Sequence, residues 1–203
     1  FLITTNFGEL TTLILSLLLG VYLWGETLLI ILPATILFLN LVTDGLTVAP
    51  LAVEPRHENV LNKPPRKKEE NILSKDALPF LILATSIMAV FTILIFKIFL
   101  NSDSLEKARA GAFAVLALTQ RFNMLNMRSL SQSIFKIGFF SNKFAVFGLV
   151  VSVVFILAAL FIEPVAASFG FEILSFSEFL IIVLLSSLVL WGSELYKYWK
   201  RKN

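Results

Sequence analysis

Six stretches of the chain are apolar over about the 20 residues that a bilayer-spanning helix needs, with polar turns between them. The first occupies Phe1 to about Leu19, carries Asn6 and Glu9 near its start, and is followed by a turn at Gly20 to Glu26. The second spans about Thr27 to Ala52 and is interrupted by a polar cluster. The remaining four cover about Leu78 to Leu100, Lys107 to Met127, Phe144 to Ile162 and Glu178 to Lys197. This pattern predicts an all-α polytopic membrane bundle of six segments, the first of them truncated.

The cluster in the second run, LFLNLVTDGLTVAPLAVE from Leu37 to Glu54, organises the rest. A carboxylate at membrane depth costs roughly 3 kcal/mol by insertion scales and is usually functional. Asn40, Thr43 and Asp44 stand at i, i+3 and i+4, so one helix face gathers an amide oxygen, a hydroxyl and a carboxylate. All are hard oxygen donors, which suit a hard cation better than copper or another soft metal. Gly45, Pro50 and Pro55 follow and are expected to weaken the helical ladder, freeing carbonyls that face the same cation. The competing reading is a polar patch that hydrogen-bonds neighbouring helices.

The fourth run has its own polar cluster: Thr119, Gln120, Arg121, Asn123 and Asn126. For Arg121, snorkelling or an interhelical bond is expected ahead of pairing with a buried carboxylate. The fifth and sixth runs offer no chemistry and read as scaffold. Residues 53–77 hold three prolines and six basic side chains, a composition with too little apolar surface to form a core, and read as a solvated loop. His57 in that loop reads as solvated surface, and Glu26, Glu163 and Glu178 as solvated caps. Phe135, Phe139 and Phe140 are expected along the membrane interface, and Tyr196, Tyr198 and Trp199 in an aromatic belt.

Composition narrows the class. Of 203 residues, 57% are hydrophobic and 20 are Phe, too apolar for a soluble domain, so the lipid bilayer is the first partner. The net charge of +3 sits between the apolar runs, where it sets topology and leaves no footprint for nucleic acid. Lys and Arg crowd residues 53–77, the loop after the fourth run and the tail, which places those parts and the C-terminus in the cytoplasm. With no Cys, thiol catalysis and thiolate metal sites are excluded. A first residue of Phe inside an apolar run reads as a piece of a longer protein.

Several motifs in order resemble the P-type calcium pumps, from the middle of their fifth transmembrane helix to the end of the tenth. LNLVTDGL at Leu39 to Leu46, the Glu54-Pro55 pair and NKPPR at Asn62 to Arg66 resemble the sixth helix and following loop. TTNFGE at Thr4 to Glu9 resembles the cation-binding part of the fifth, and FNMLNMRS with FKIGFFSNK the eighth helix and its loop. The resemblance divides the chain into a ligand-bearing helix pair at 1–52, a cytoplasmic loop at 53–77 and a four-helix domain at 78–203. It assigns cation ligands to Asn6, Glu9, Asn40, Thr43 and Asp44, and by alignment through FNMLN to Gln120, where the animal reticulum pump has Glu. One carboxylate fewer lowers the expected stoichiometry toward one ion. A second departure is Thr47, where the family usually has Pro.

The function so implied is the C-terminal membrane part of an ATP-driven pump that exports calcium from a prokaryote's cytoplasm. Proton countertransport accompanies it, because a desolvated carboxylate takes up a proton when its cation leaves, with Glu9 the first candidate. The implied partners are the parent pump's first four helices and its catalytic domains. Mg-ATP would act only through those domains, since the family's phosphorylation motif is absent from these residues. Other readings are a pump for sodium, manganese or protons, and a stand-alone six-helix scaffold or passive cation pathway.

Overall fold

The computed structural model describes residues 1–25, 28–55 and 77–202. Most of the expected polar loop, with His57 and the basic run from Arg66 to Lys68, lies outside the described residues, as does Glu26.

All six predicted segments are helical, with shifted ends. The first, α1 (Leu2–Trp24), runs past Gly20 because Val21 to Trp24 continue the apolar run, and stops at Gly25, whose positive φ of 84° closes the helix. The second begins later than expected: α2 (Pro33–Phe38) starts on Pro33, whose fixed φ suits a first helical position. Ile30 and Ile31 before it are buried in irregular backbone, so the apolar run there fills core without forming helix.

A π-helical turn, Leu39–Asp44, then passes into α3 (Gly45–Ala52), so one continuous span runs from Pro33 to Ala52. Next come α4 (Leu78–Ser102) and α5 (Leu105–Met127), the latter capped by the Ser104 hydroxyl, which accepts from the Lys107 N–H at 3.0 Å. The expected loop after it holds a short helix, α6 (Ile134–Ile137), and a 3-10 turn at Phe139–Ser141. The chain then forms α7 (Lys143–Phe161), a short α8 (Glu163–Ser168) that the sequence pattern did not suggest, and α9 (Phe176–Lys202).

Among the described residues, five helices are long and apolar enough to cross a membrane: α1, the Pro33–Ala52 span, α4, α7 and α9. The sixth expected segment, α5, forms a helix of 23 residues but is less apolar than these five. It is as long as the others, but buried on nearly every side, from Ala108 through Asn126, against α4, α9 and α7. An interior helix meets no lipid, so it can carry polar side chains that would be costly on a lipid-facing one. That placement lets Gln120, Arg121 and Asn123 project into the bundle.

Among the outer aromatic residues, Phe135, Phe139 and Phe140 are exposed, as are Tyr198 and Trp199. Tyr196 instead packs edge-on against Phe80, with ring centroids 5.3 Å apart. Glu178 is no isolated solvated cap, since it accepts from the Ser175 N–H at 2.7 Å and pairs with Lys107 at 2.8 Å.

Candidate cation site

On α1, Thr5, Glu9, Thr12 and Ser16 recur at helical spacing and form one buried polar stripe. Thr12 and Ser16 donate to carbonyls of their own helix, at Gly8 and Leu13, which leaves Glu9 as the group that must be satisfied from elsewhere. Its carboxylate accepts from Asn40 Nδ2 at 2.9 Å and from Gln120 Nε2 at 2.7 Å. Three separate helical segments therefore meet at one buried carboxylate.

Asn40 and Asp44 lie in the π-helical turn, a winding that commonly marks functional positions in helices. Thr43 is fully buried in the same turn, and its hydroxyl donates to its own backbone at the Leu39 carbonyl (2.7 Å). The expectation that Gly45 breaks the helix is corrected: its φ of −54° and ψ of −43° are helical. Thr47 keeps the ladder together, donating to the Asp44 carbonyl at 3.0 Å.

Pro50 does free the carbonyl four residues earlier, that of Leu46, but this oxygen faces α7. A Cβ on Gly148 would sit 2.1 Å from it, so the two backbones touch there. The freed carbonyl is used for packing, and cation binding gains nothing from it.

Asp44 accepts from Arg121 Nη2 in an ion pair closed off from solvent, with Asp44 0% and Arg121 2% exposed. The same Nη2 also donates to Gln120 Oε1 at 3.2 Å. The Thr5 hydroxyl is beside the Asp44 carboxylate but donates to the Leu2 carbonyl at 3.1 Å, leaving Asp44 Oδ2 without a donor. A continuous chain thus runs Asn40, Glu9, Gln120, Arg121, Asp44. Snorkelling of Arg121 is overturned, because α5 is interior and offers the guanidinium no route to an interface.

Of the six residues expected as ligands, Glu9, Asn40, Asp44 and Gln120 belong to this chain. Asn6 is exposed and lines a cleft of about 410 Å³ together with Glu9 and Asn40. Thr43 sits between Asn40 and Asp44 without bonding to either. Among the described residues no three His, Cys, Asp or Glu side chains cluster as a metal site, so the donor set is two carboxylates extended by amides. Its formal charge is −1, from Glu9 and Asp44 against Arg121. Pairing of Arg121 with a buried carboxylate, placed behind snorkelling on the sequence alone, is what the structure shows. The available signal was an unneutralised Arg beside Gln120 in the middle of a membrane-length helix.

Residues 28–199 match the family model described as cation transporting ATPase, C-terminus. The chain belongs to that family. Among relatives of this cation transporting ATPase C-terminus, the calcium-transporting ATPase 1 of Bacillus cereus is 34% identical over 99% of this chain. The protein of the same name in Saccharomyces cerevisiae is 34% identical over 83%, and the mouse calcium-transporting ATPase type 2C member 2 is 31% identical over 82%. The chain spans between 18% and 24% of the length of these relatives.

Proposed function

We propose that this chain is the C-terminal membrane part of a P-type pump that moves calcium out of the cytoplasm at the expense of Mg-ATP. The observation that carries this reading is the buried polar chain through Glu9, Gln120 and Asp44, which assembles oxygen donors from three helical segments inside a family of cation pumps. The names of the relatives support calcium as cargo. Asn6, Glu9, Asn40, Thr43, Asp44 and Gln120 are the proposed ligands, as the sequence resemblance assigns them. Calcium takes about six to eight oxygens, so the parent's upstream helices and water would supply the rest.

Arg121 already neutralises one of the two carboxylates, and we therefore assign one divalent ion per cycle. Glu9 is the proton carrier on the return step, held by two neutral amides that stay compatible with a protonated carboxyl. The ends of the bundle that carry Glu54, Arg128 and Lys197 face the cytoplasm, by the charge of the adjoining segments. ATP hydrolysis belongs to upstream catalytic domains, and this chain alone performs none. A bacterial plasma membrane fits the Bacillus cereus relative.

The test is Asp44→Asn in the full-length pump, which should abolish calcium-dependent phosphorylation from ATP. Normal calcium dependence in that variant would reject the assigned site. Sodium or manganese sustaining phosphorylation of the wild type in place of calcium would reassign the cargo.

A further inference from the structure

Below the cation site, the same two segments are joined a second time. Arg128 lies seven residues, two helical turns, beyond Arg121 and so leaves α5 on the same face. It is only 5% exposed, and its Nε donates to Glu54 Oε1 at 2.8 Å, just past the end of α3. The other guanidinium nitrogens hold the loop before α7: Nη1 donates to the Phe139 carbonyl at 2.8 Å and Nη2 to Ser141 Oγ at 2.6 Å.

Asn142 completes the cluster. Its Nδ2 donates to Glu54 Oε2 at 2.6 Å and to the Pro50 carbonyl at 3.1 Å, while its Oδ1 caps α7 by accepting the Ala145 N–H at 2.9 Å. The end of α3 is thereby fixed both through a side chain and through the Pro50 carbonyl, which also accepts the Val53 N–H at 3.3 Å. Four elements meet: the end of α3, the end of α5, the loop of residues 138–141 and the start of α7. None of the side chains in this cluster is among the proposed cation ligands.

Glu54 lies just past the span that carries Asp44, and Arg128 caps the helix that carries Arg121, so α5 and its cap grip the ligand-bearing segment at two heights. Charge-assisted bonds with their remaining valences filled by carbonyls hold a fixed geometry better than a lone exposed pair. Any rise or rotation of α3 that changes the distance of Asp44 and Asn40 from Glu9 must strain or break the lower grip.

We infer that Arg128 is a positioning residue for cation binding: with Glu54 and Asn142 it sets the height and rotation of α3, and through α3 the ligand geometry at Asn40 and Asp44. This inference rests on the cation site proposed above. It gives Arg128 and Glu54 a role that topology and loop composition did not suggest.

The experiment measures calcium-dependent phosphorylation in the full-length pump. Arg128→Gln should raise half-saturating calcium roughly tenfold, the lower end of what outer partners of metal ligands contribute, with the maximal phosphoenzyme level retained. Arg128→Lys should recover part of the shift. The double variant Arg128→Gln with Glu54→Gln should be no worse than the worse single one. Asn142→Asp keeps the α7 cap but sets a second carboxylate against Glu54, and should raise half-saturation even where Arg128→Gln fails to fold. Unshifted half-saturation in folded Arg128→Gln or in Asn142→Asp, or additive effects in the double variant, would overturn the inference. A wild-type pump without calcium dependence would instead reject the cation site itself.

Discussion

Arg121 and Asp44 form an ion pair inside the bundle, 77 residues apart in sequence and both shut off from solvent. Burying such a pair adds little net stability, but removing one partner leaves an uncompensated charge and costs about 3–5 kcal/mol. Arg121→Gln alone is therefore expected to lower the thermal midpoint of the detergent-solubilised protein strongly. Adding Asp44→Asn should recover much of the loss. Strictly additive losses in the double variant would show that the two groups are not coupled.

Gly148 and Gly45 should respond in opposite ways to Ala. At Gly148 a Cβ would lie 2.1 Å from the Leu46 carbonyl oxygen and 2.9 Å from Pro50 Cγ, and a backbone atom cannot turn aside as a side chain can. Gly148→Ala should cost about 1–3 kcal/mol, the usual range for overpacking, and shift α3. At Gly45 nothing lies within 4 Å of an added Cβ and the backbone is helical, so Gly45→Ala should be neutral or stabilising by up to about 1 kcal/mol. Denaturation midpoints of the two variants provide the check.

Between α4 and α5, the Asp103 carboxylate is held below the ordinary carboxylate range by hydrogen bonds from the Ser102 hydroxyl and from Lys107. A carboxyl whose folded-state value is lowered stabilises the fold above its unfolded value, near pH 4, and loses that contribution as pH falls through the folded value. Asp103→Asn should therefore lie slightly below wild type in unfolding midpoint at neutral pH, and the two should converge in acid. A difference that does not change with pH would rule out this pairing as its source.

The helices were legible from apolar run length, and their ends less so, because local signals compete. Gly20 looked like a turn, but the apolar run past it carried the helix on to Gly25. Glu9, Asn40 and Asp44 were legible because ionisable and amide groups are rare in apolar runs. The partner of Asp44 was not legible, since nothing local distinguishes an Arg on an interior helix from one that reaches an interface. That difference arises only when α4, α7 and α9 surround α5. The π-helical winding of Leu39–Asp44 was hidden for a similar reason, and the oxygen freed by Pro50 had an unforeseen neighbour in Gly148.

Amide donors to Glu9 offer a graded test of the site. Removing Asn40 or Gln120 by Ala substitution leaves the Glu9 carboxylate with one of its two donors, and each should weaken calcium binding by roughly 10–100-fold, as loss of a supporting partner does at metal sites. Titration of calcium-dependent phosphorylation in the full-length pump measures it. An unshifted titration in both variants would remove Glu9 from the site.

Equilibrium binding of radioactive calcium to the purified full-length pump bears most directly on the single-ion site built around Glu9, Asp44 and Arg121. One ion per pump is expected, with binding lost in Glu9→Gln. Two tightly bound ions, or undiminished binding in that variant, would contradict it.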